Sequence, residues 1–110
     1  MQQNIWALDK DMNIKHLLLM LAERFPQGSY EILDNPQDDT RSIRLLNPLS
    51  PEIQLYLYTF GQTENYYGVD VEYPNLQETN YSNTLETREN VSFDNLVDMI
   101  VTNLGIQTSG

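Results

Sequence analysis

Glu52-Ile-Gln-Leu-Tyr-Leu-Tyr-Thr-Phe60, Gly61-Gln-Thr-Glu-Asn65 and Tyr66-Tyr-Gly-Val-Asp-Val-Glu-Tyr73 are consecutive, and their reading decides the fold. Two runs rich in β-branched and aromatic residues flank a short polar connection that holds a glycine, the pattern of an antiparallel hairpin. Side chains alternate across a strand, so each run sorts its residues by face. In the first run Ile53, Leu55 and Leu57 fall on one side, and Gln54, Tyr56, Tyr58 and Phe60 on the other. In the second, Tyr67, Val69, Val71 and Tyr73 oppose Tyr66, Gly68, Asp70 and Glu72. One face is therefore aliphatic and needs a cover, while the other gathers tyrosines and carboxylates.

Toward the N-terminus, Asn47-Pro-Leu-Ser-Pro51 interrupts the strand pattern, since proline brings no N–H to a ladder. Before it, Thr40–Leu46 and Ser29–Leu33 read as two more strands, separated by Asp34-Asn-Pro-Gln-Asp-Asp39, a turn by composition. Connections this short favour antiparallel neighbours. Glu31 and Arg44 are candidates to join the tyrosine face from these two strands.

The ends are helical. Ile14, Leu17, Leu18, Leu21, Ala22 and Phe25 make one face of a helix over Met12 to Phe25. Leu19 and Met20 widen that face and predict a well-buried helix. Asp11 or Asn13 caps its start, and Pro26 and Gly28 end it. Phe93, Leu96, Val97, Ile100, Val101 and Leu104 repeat the spacing over Phe93 to Leu104. Here Ser92 is the N-cap, Asp94 sits at the positive end, Val91 staples to Leu96 and Gly105 stands at the C-terminal cap. The tail from Gln107 is expected to fray. Residues 74–91 either hold a short fifth strand at Thr84–Thr87 or form a binding loop, because a long structureless segment is uncommon in a compact domain. The expected architecture is α+β: a four- to five-stranded antiparallel meander with an N-terminal and a C-terminal helix on one face, in the order α-β-β-β-β-α, as one domain over residues 1–110.

The chain carries sixteen acids against six bases, a net charge of −10. The imbalance is local. Residues 1–44 hold seven acids and five bases, whereas residues 45–110 hold nine acids and one base, Arg88. Nucleic acids and anionic membranes are unfavourable partners for such a surface, because phosphate contacts need Lys and Arg. An acidic field speeds association with a basic protein and rejects wrong partners, although acidity also serves plain solubility.

Catalytic and metal chemistry find little support. The chain has no cysteine, which excludes disulfides, thiolate-bound zinc and thiol catalysis. His16 is the single histidine and has no carboxylate near it in sequence to make a dyad. Asp34, Asp38 and Asp39 lack the glycine and distal glutamate of an EF-hand loop. Asp70 and Glu72 share a strand face, but a chain of 110 residues with no evident cleft is a poor host for paired-carboxylate hydrolysis. The expectation is a protein that is not an enzyme and uses no cofactor or metal. The apolar run after His16 is too short to span a bilayer, and Asp9 and Asp11 occupy what would be the basic leader of a signal peptide. A cytoplasmic location is expected.

Tyr58-Thr-Phe-Gly-Gln-Thr-Glu-Asn-Tyr-Tyr-Gly-Val-Asp-Val-Glu-Tyr-Pro74, the following Glu78-Thr-Asn-Tyr81 and the closing helix together resemble the immunity proteins of bacterial contact-dependent growth inhibition and related polymorphic toxin systems. The resemblance covers the second half of the chain and assigns no single family. It implies a cytoplasmic inhibitor that binds a cognate toxin domain one-to-one and covers its active site. Many such toxins are basic nucleases, so carboxylates would take the place of substrate phosphates. The candidate partner-binding residues are Tyr56, Tyr58, Glu64, Tyr66, Asp70, Glu72, Glu78 and Tyr81. Tyrosine offers contact area and a polar tip at low entropic cost, and carboxylates accept paired hydrogen bonds from arginine. Tyrosine pairs also stabilise sheets without any partner. The alternative is another acidic binding module: a secretion chaperone, a phage-encoded inhibitor or a DNA mimic.

Overall fold

A computed structural model describes residues 5–73 and 84–109. After a single 3-10 turn at Ile5–Ala7 come helix α1 (Met12–Arg24), strands β1 (Glu31–Leu33), β2 (Ser42–Asn47), β3 (Ser50–Tyr58), β4 (Tyr67–Glu72) and β5 (Thr84–Val91), and helix α2 (Phe93–Leu104). The strands form one antiparallel sheet in the order β1-β2-β3-β4-β5, so every strand pairs with its neighbour in sequence. This is the α+β meander that the alternation predicts, and of the two readings of residues 74–91 it supports the fifth strand, longer than expected.

Register shows why both helices occupy one face. Ile43, Leu57 and Val69 lie abreast on β2, β3 and β4, as do Leu45, Leu55 and Val71. These residues form one buried cluster with Ile14, Leu17, Leu18 and Leu21 of α1 and Leu96, Val97, Ile100 and Leu104 of α2. The stripe on α1 is narrower than its sequence suggests: Leu19 is half-buried, and Met20 and Ala22 are exposed. A helix seated on one side of a sheet buries only the residues that face it.

The helix ends differ in chemistry. Ser92 caps α2 with its side chain, which accepts a hydrogen bond from the Asn95 N–H at 3.2 Å. Gly105 closes α2 at φ 67°, a left-handed conformation that glycine adopts without Cβ strain. Asp11 precedes α1 but makes no side-chain cap bond. Its carbonyl accepts from the N–H groups of Ile14 and Lys15, and its own N–H donates to the Thr40 carbonyl, which ties the helix entry to the start of β2.

Two further departures have local causes. Pro51 lies inside β3, yet the β2–β3 register slips between Leu46 and Asn47, so residues 51–53 fall in the irregularity and the missing N–H costs no ladder bond. The tail does not fray up to Ser109. Ile106 is buried in the core, and the Ser109 N–H donates to the Arg24 carbonyl at 2.7 Å.

Candidate functional site

On the face away from the helices, register places Leu33, Arg44, Tyr56, Asp70 and Thr87 in one row across all five strands. Glu31, Leu46, Gln54 and Glu72 make the next row, and Ser42, Tyr58 and Gly68 another. Tyr56, Tyr58, Asp70 and Glu72 therefore do share a surface, and Glu31 and Arg44 join it.

That surface is already furnished with cations from its own chain. The Arg44 guanidinium lies over the Tyr56 ring at 4.5 Å, donates to Asp38 at 2.9 Å and pairs with Glu72. Burial works against its charge, but Asp38 and Glu72 outweigh burial and raise its pKa. Tyr56, Tyr58 and Phe60 continue as a ring ladder, with centroids 5.6 Å and 4.6 Å apart. Arg41 closes the ladder over Phe60 at 5.5 Å and is held by Asp39. The side-chain and then backbone hydrogen bonds from Arg41 lower the Asp39 pKa to about 2. A ladder with a guanidinium at each end combines aromatic stacking with cation–π attraction.

Tyr58 is the centre of this arrangement and is only 6% exposed. Its ring lies across Gly68, where a Cβ atom would land inside it. Burial first, and then the negative charge of Asp70, push the Tyr58 pKa up to about 12. Asp70 lies beside the Tyr58 hydroxyl, and its Oδ1 is sheltered from solvent.

The remaining predicted residues lie elsewhere. Tyr66 is outside β4, in the turn where its N–H donates to the Thr63 carbonyl, so strand alternation does not place it on the tyrosine face. It is 43% exposed. With Glu64 it lines a groove of about 480 Å³ against α1, whose Met12, His16 and Met20 form the opposite wall. The spacing of four between those three residues is legible in the sequence, but only Met20 is expected there, and on the buried face; all three are exposed. His16 meets the Trp6 ring edge-on at 6.4 Å. Glu78 and Tyr81 lie outside the described residues, as does most of the 74–91 segment considered as a binding loop.

A second groove, of about 570 Å³, separates β5 from α2 and is lined by Glu86, Glu89, Asn95, Asp98 and Met99 among others. Sequence reasoning missed it because it read β5 as a short strand or a loop. The β4–β5 register shifts twice, and Asn90 takes φ 51° at the shift nearer α2. The Gln62 side chain accepts from the Asn90 N–H at 2.6 Å, and the Asn90 side chain accepts from the Thr63 N–H at 2.8 Å, so the β3–β4 connection anchors β5.

Five of the six basic side chains are in ion pairs with acids of this chain: Lys10 with Asp34, Arg24 with Asp94, Arg41 with Asp39, Arg44 with Asp38 and Glu72, and Arg88 with Glu86. The sixth, Lys15, donates to the Trp6 carbonyl. Among the described residues no group of three or more acids and histidines is placed to hold a metal ion, and no helix is long and apolar enough to cross a membrane. Comparison with protein-family models, with curated proteins and with solved structures gives no match.

Proposed function

We propose that this chain is an acidic binding module that takes up a basic protein, acting as the immunity partner of a toxin domain whose active surface it covers. The observation that carries this reading is the internal pairing of the cations. With Lys10, Arg24, Arg41, Arg44 and Arg88 each held by an acid of the same chain, the excess acids among the described residues are in no ion pair. Glu31, Glu64, Asp70, Glu89 and Asp98 are among them. A partner meets a molecule with a large excess of negative charge, which steers a basic protein and repels an acidic one.

The sheet face supplies the chemistry of contact. Arg44 on Tyr56 and Glu72 shows the kind of guanidinium that this face accommodates, and the half-buried carboxylate of Asp70 lies in the same row as Arg44 and Tyr56. A DNA mimic fits less well, because a phosphate-like row of carboxylates would not be interleaved with Tyr56 and Tyr58 or answered by Arg44.

Co-expression with the product of the gene immediately upstream tests the reading. The expected result is rescue from toxicity and a one-to-one complex. Reversing charge at Asp70 and Glu72 together is expected to weaken that complex tenfold or more, about 1.4 kcal/mol, mainly through slower association. A monomeric, folded double variant that still protects and binds at full strength would remove the sheet face from the proposal. Failure of both rescue and co-purification would remove the immunity role.

A further inference from the structure

Strand β5 is the long edge of the sheet. Among the described residues it pairs only with β4, so along Leu85–Glu89 alternate backbone N–H and C=O groups point away from the sheet. The other edge, β1, has three residues. Edge strands are usually shortened, or covered by a helix or loop. Here the helix stands off: α2 leaves the 570 Å³ groove along the inner side of β5. Val69 faces Arg88 and Val71 faces Glu86, so the β5 side chains on the helix-facing side are charged rather than apolar. Arg88 is taken by Glu86, while among the described residues Glu89 and Asp98 are in no ion pair, and both line the groove. Leu85, 56% exposed at the β4–β5 register shift, offers an apolar contact on the same strand.

We propose that β5 and this groove receive an extended, lysine- or arginine-bearing segment of the partner protein, which pairs with the β5 edge as a sixth strand. Backbone hydrogen bonds supply the affinity, and alternate basic side chains reach Glu89 and Asp98. A second copy of this chain is a poor occupant, because two molecules of net charge −10 repel. The inference rests on the partner being basic but not on where the sheet face binds, so each can fail alone.

The test uses the full chain labelled with nitrogen-15 and, as probe, a short peptide of alternating lysine and threonine blocked at both ends. A twin of equal charge, N-methylated on the residues that would face β5, is the control. The expected result is movement of the Leu85, Thr87 and Glu89 amide signals with the first peptide and not the second, while Tyr56 and Asp70 stay in place. Glu89→Gln with Asp98→Asn should weaken binding about fivefold. Equal binding of the N-methylated twin, signals that move only on the sheet face, no binding at all, or a dimer formed through β5 would each overturn strand addition. Movement confined to Tyr56 and Asp70 would do so while supporting the proposed function.

Discussion

Gly68 and Tyr58 stand opposite each other on β4 and β3, and they show how one residue without a side chain organises a face. Gly68 is not needed for a turn. It leaves room for the Tyr58 ring to lie flat against the sheet, where Phe60 and Tyr56 stack beside it. Filling the space displaces the ring and disrupts the ladder. Gly68→Ala is therefore expected to destabilise the fold by about 1–3 kcal/mol, the usual cost of overpacking, read from a denaturant midpoint. Tyr58→Ala in the same background should add less than it does alone, since the clash is then gone. Tyr58 also makes a prediction in pH. Its folded pKa of about 12 lies above the ordinary tyrosine value of about 10. The unfolded chain ionises this group first, so the contribution is complete below about pH 10 and is lost as pH rises to about 12. Ultraviolet titration of tyrosinate should show a late step that Tyr58→Phe removes. A titration unchanged by that substitution would contradict the burial of the hydroxyl beside Asp70. Burial also raises Tyr30 and Tyr67, which is why the difference between the two titrations is the measurement.

At the scale of elements, the two helices begin with the same backbone geometry and different chemistry. Ser92 at φ −67° and Asp11 at φ −61° are both extended, yet only Ser92 uses its side chain. Ser92→Ala should cost about 1 kcal/mol, the usual worth of a side-chain cap, whereas Asp11→Ala should cost only a few tenths of a kcal/mol. Paired thermal melts check this, and equal losses would mean that Asp11 caps in solution. The register shifts are also element-scale devices. The one at Leu46 and Asn47 admits Pro51 into β3 and frees the Asn47 side chain, whose amide donates to the last carbonyl of α2, that of Leu104, at 2.9 Å. The two on β5 twist the edge strand and turn Leu85 outward. Those shifts leave most of β5 outside the core.

For the whole molecule the governing quantity is the distribution of charge. Sixteen acids and six bases leave a net charge of −10, and the pairing of the bases decides where the excess lies. Among the described residues five of the six pair with acids of the same chain, which leaves Glu31 and Asp70 on the sheet face, Glu89 and Asp98 at the β5 groove and Glu64 at the α1 groove outside those pairs. Association with a basic partner should then be fast at low salt and slow as salt rises, with dissociation much less affected. Stopped-flow association rates across ionic strength measure this. A rate independent of salt would show that steering by the net charge plays no part.

Short connections determined the strand order; alternation along Glu52–Phe60 and Tyr66–Tyr73, and the spacing in the two terminal segments, determined the faces of β3 and β4 and the seat of both helices. They could do so because side-chain periods of 2 and 3.6 are properties of the local backbone, and one buried face makes register strongly specified. The grouping of Tyr56, Tyr58, Asp70 and Glu72 followed from the same rule. Tertiary structure decided what the rule does not reach. Tyr66 left that face because the chain turns at Asn65, where φ is 66°. Arg44 neutralised Glu72 because β2 pairs beside β3, and Asp38 reached it across a loop. Whether an acid faces a partner or a neighbour of its own chain depends on contacts between residues far apart in sequence, and no local pattern encodes those. The acidic character was therefore present in the composition, but only the folded arrangement of its few cations decided which carboxylates are left for another molecule.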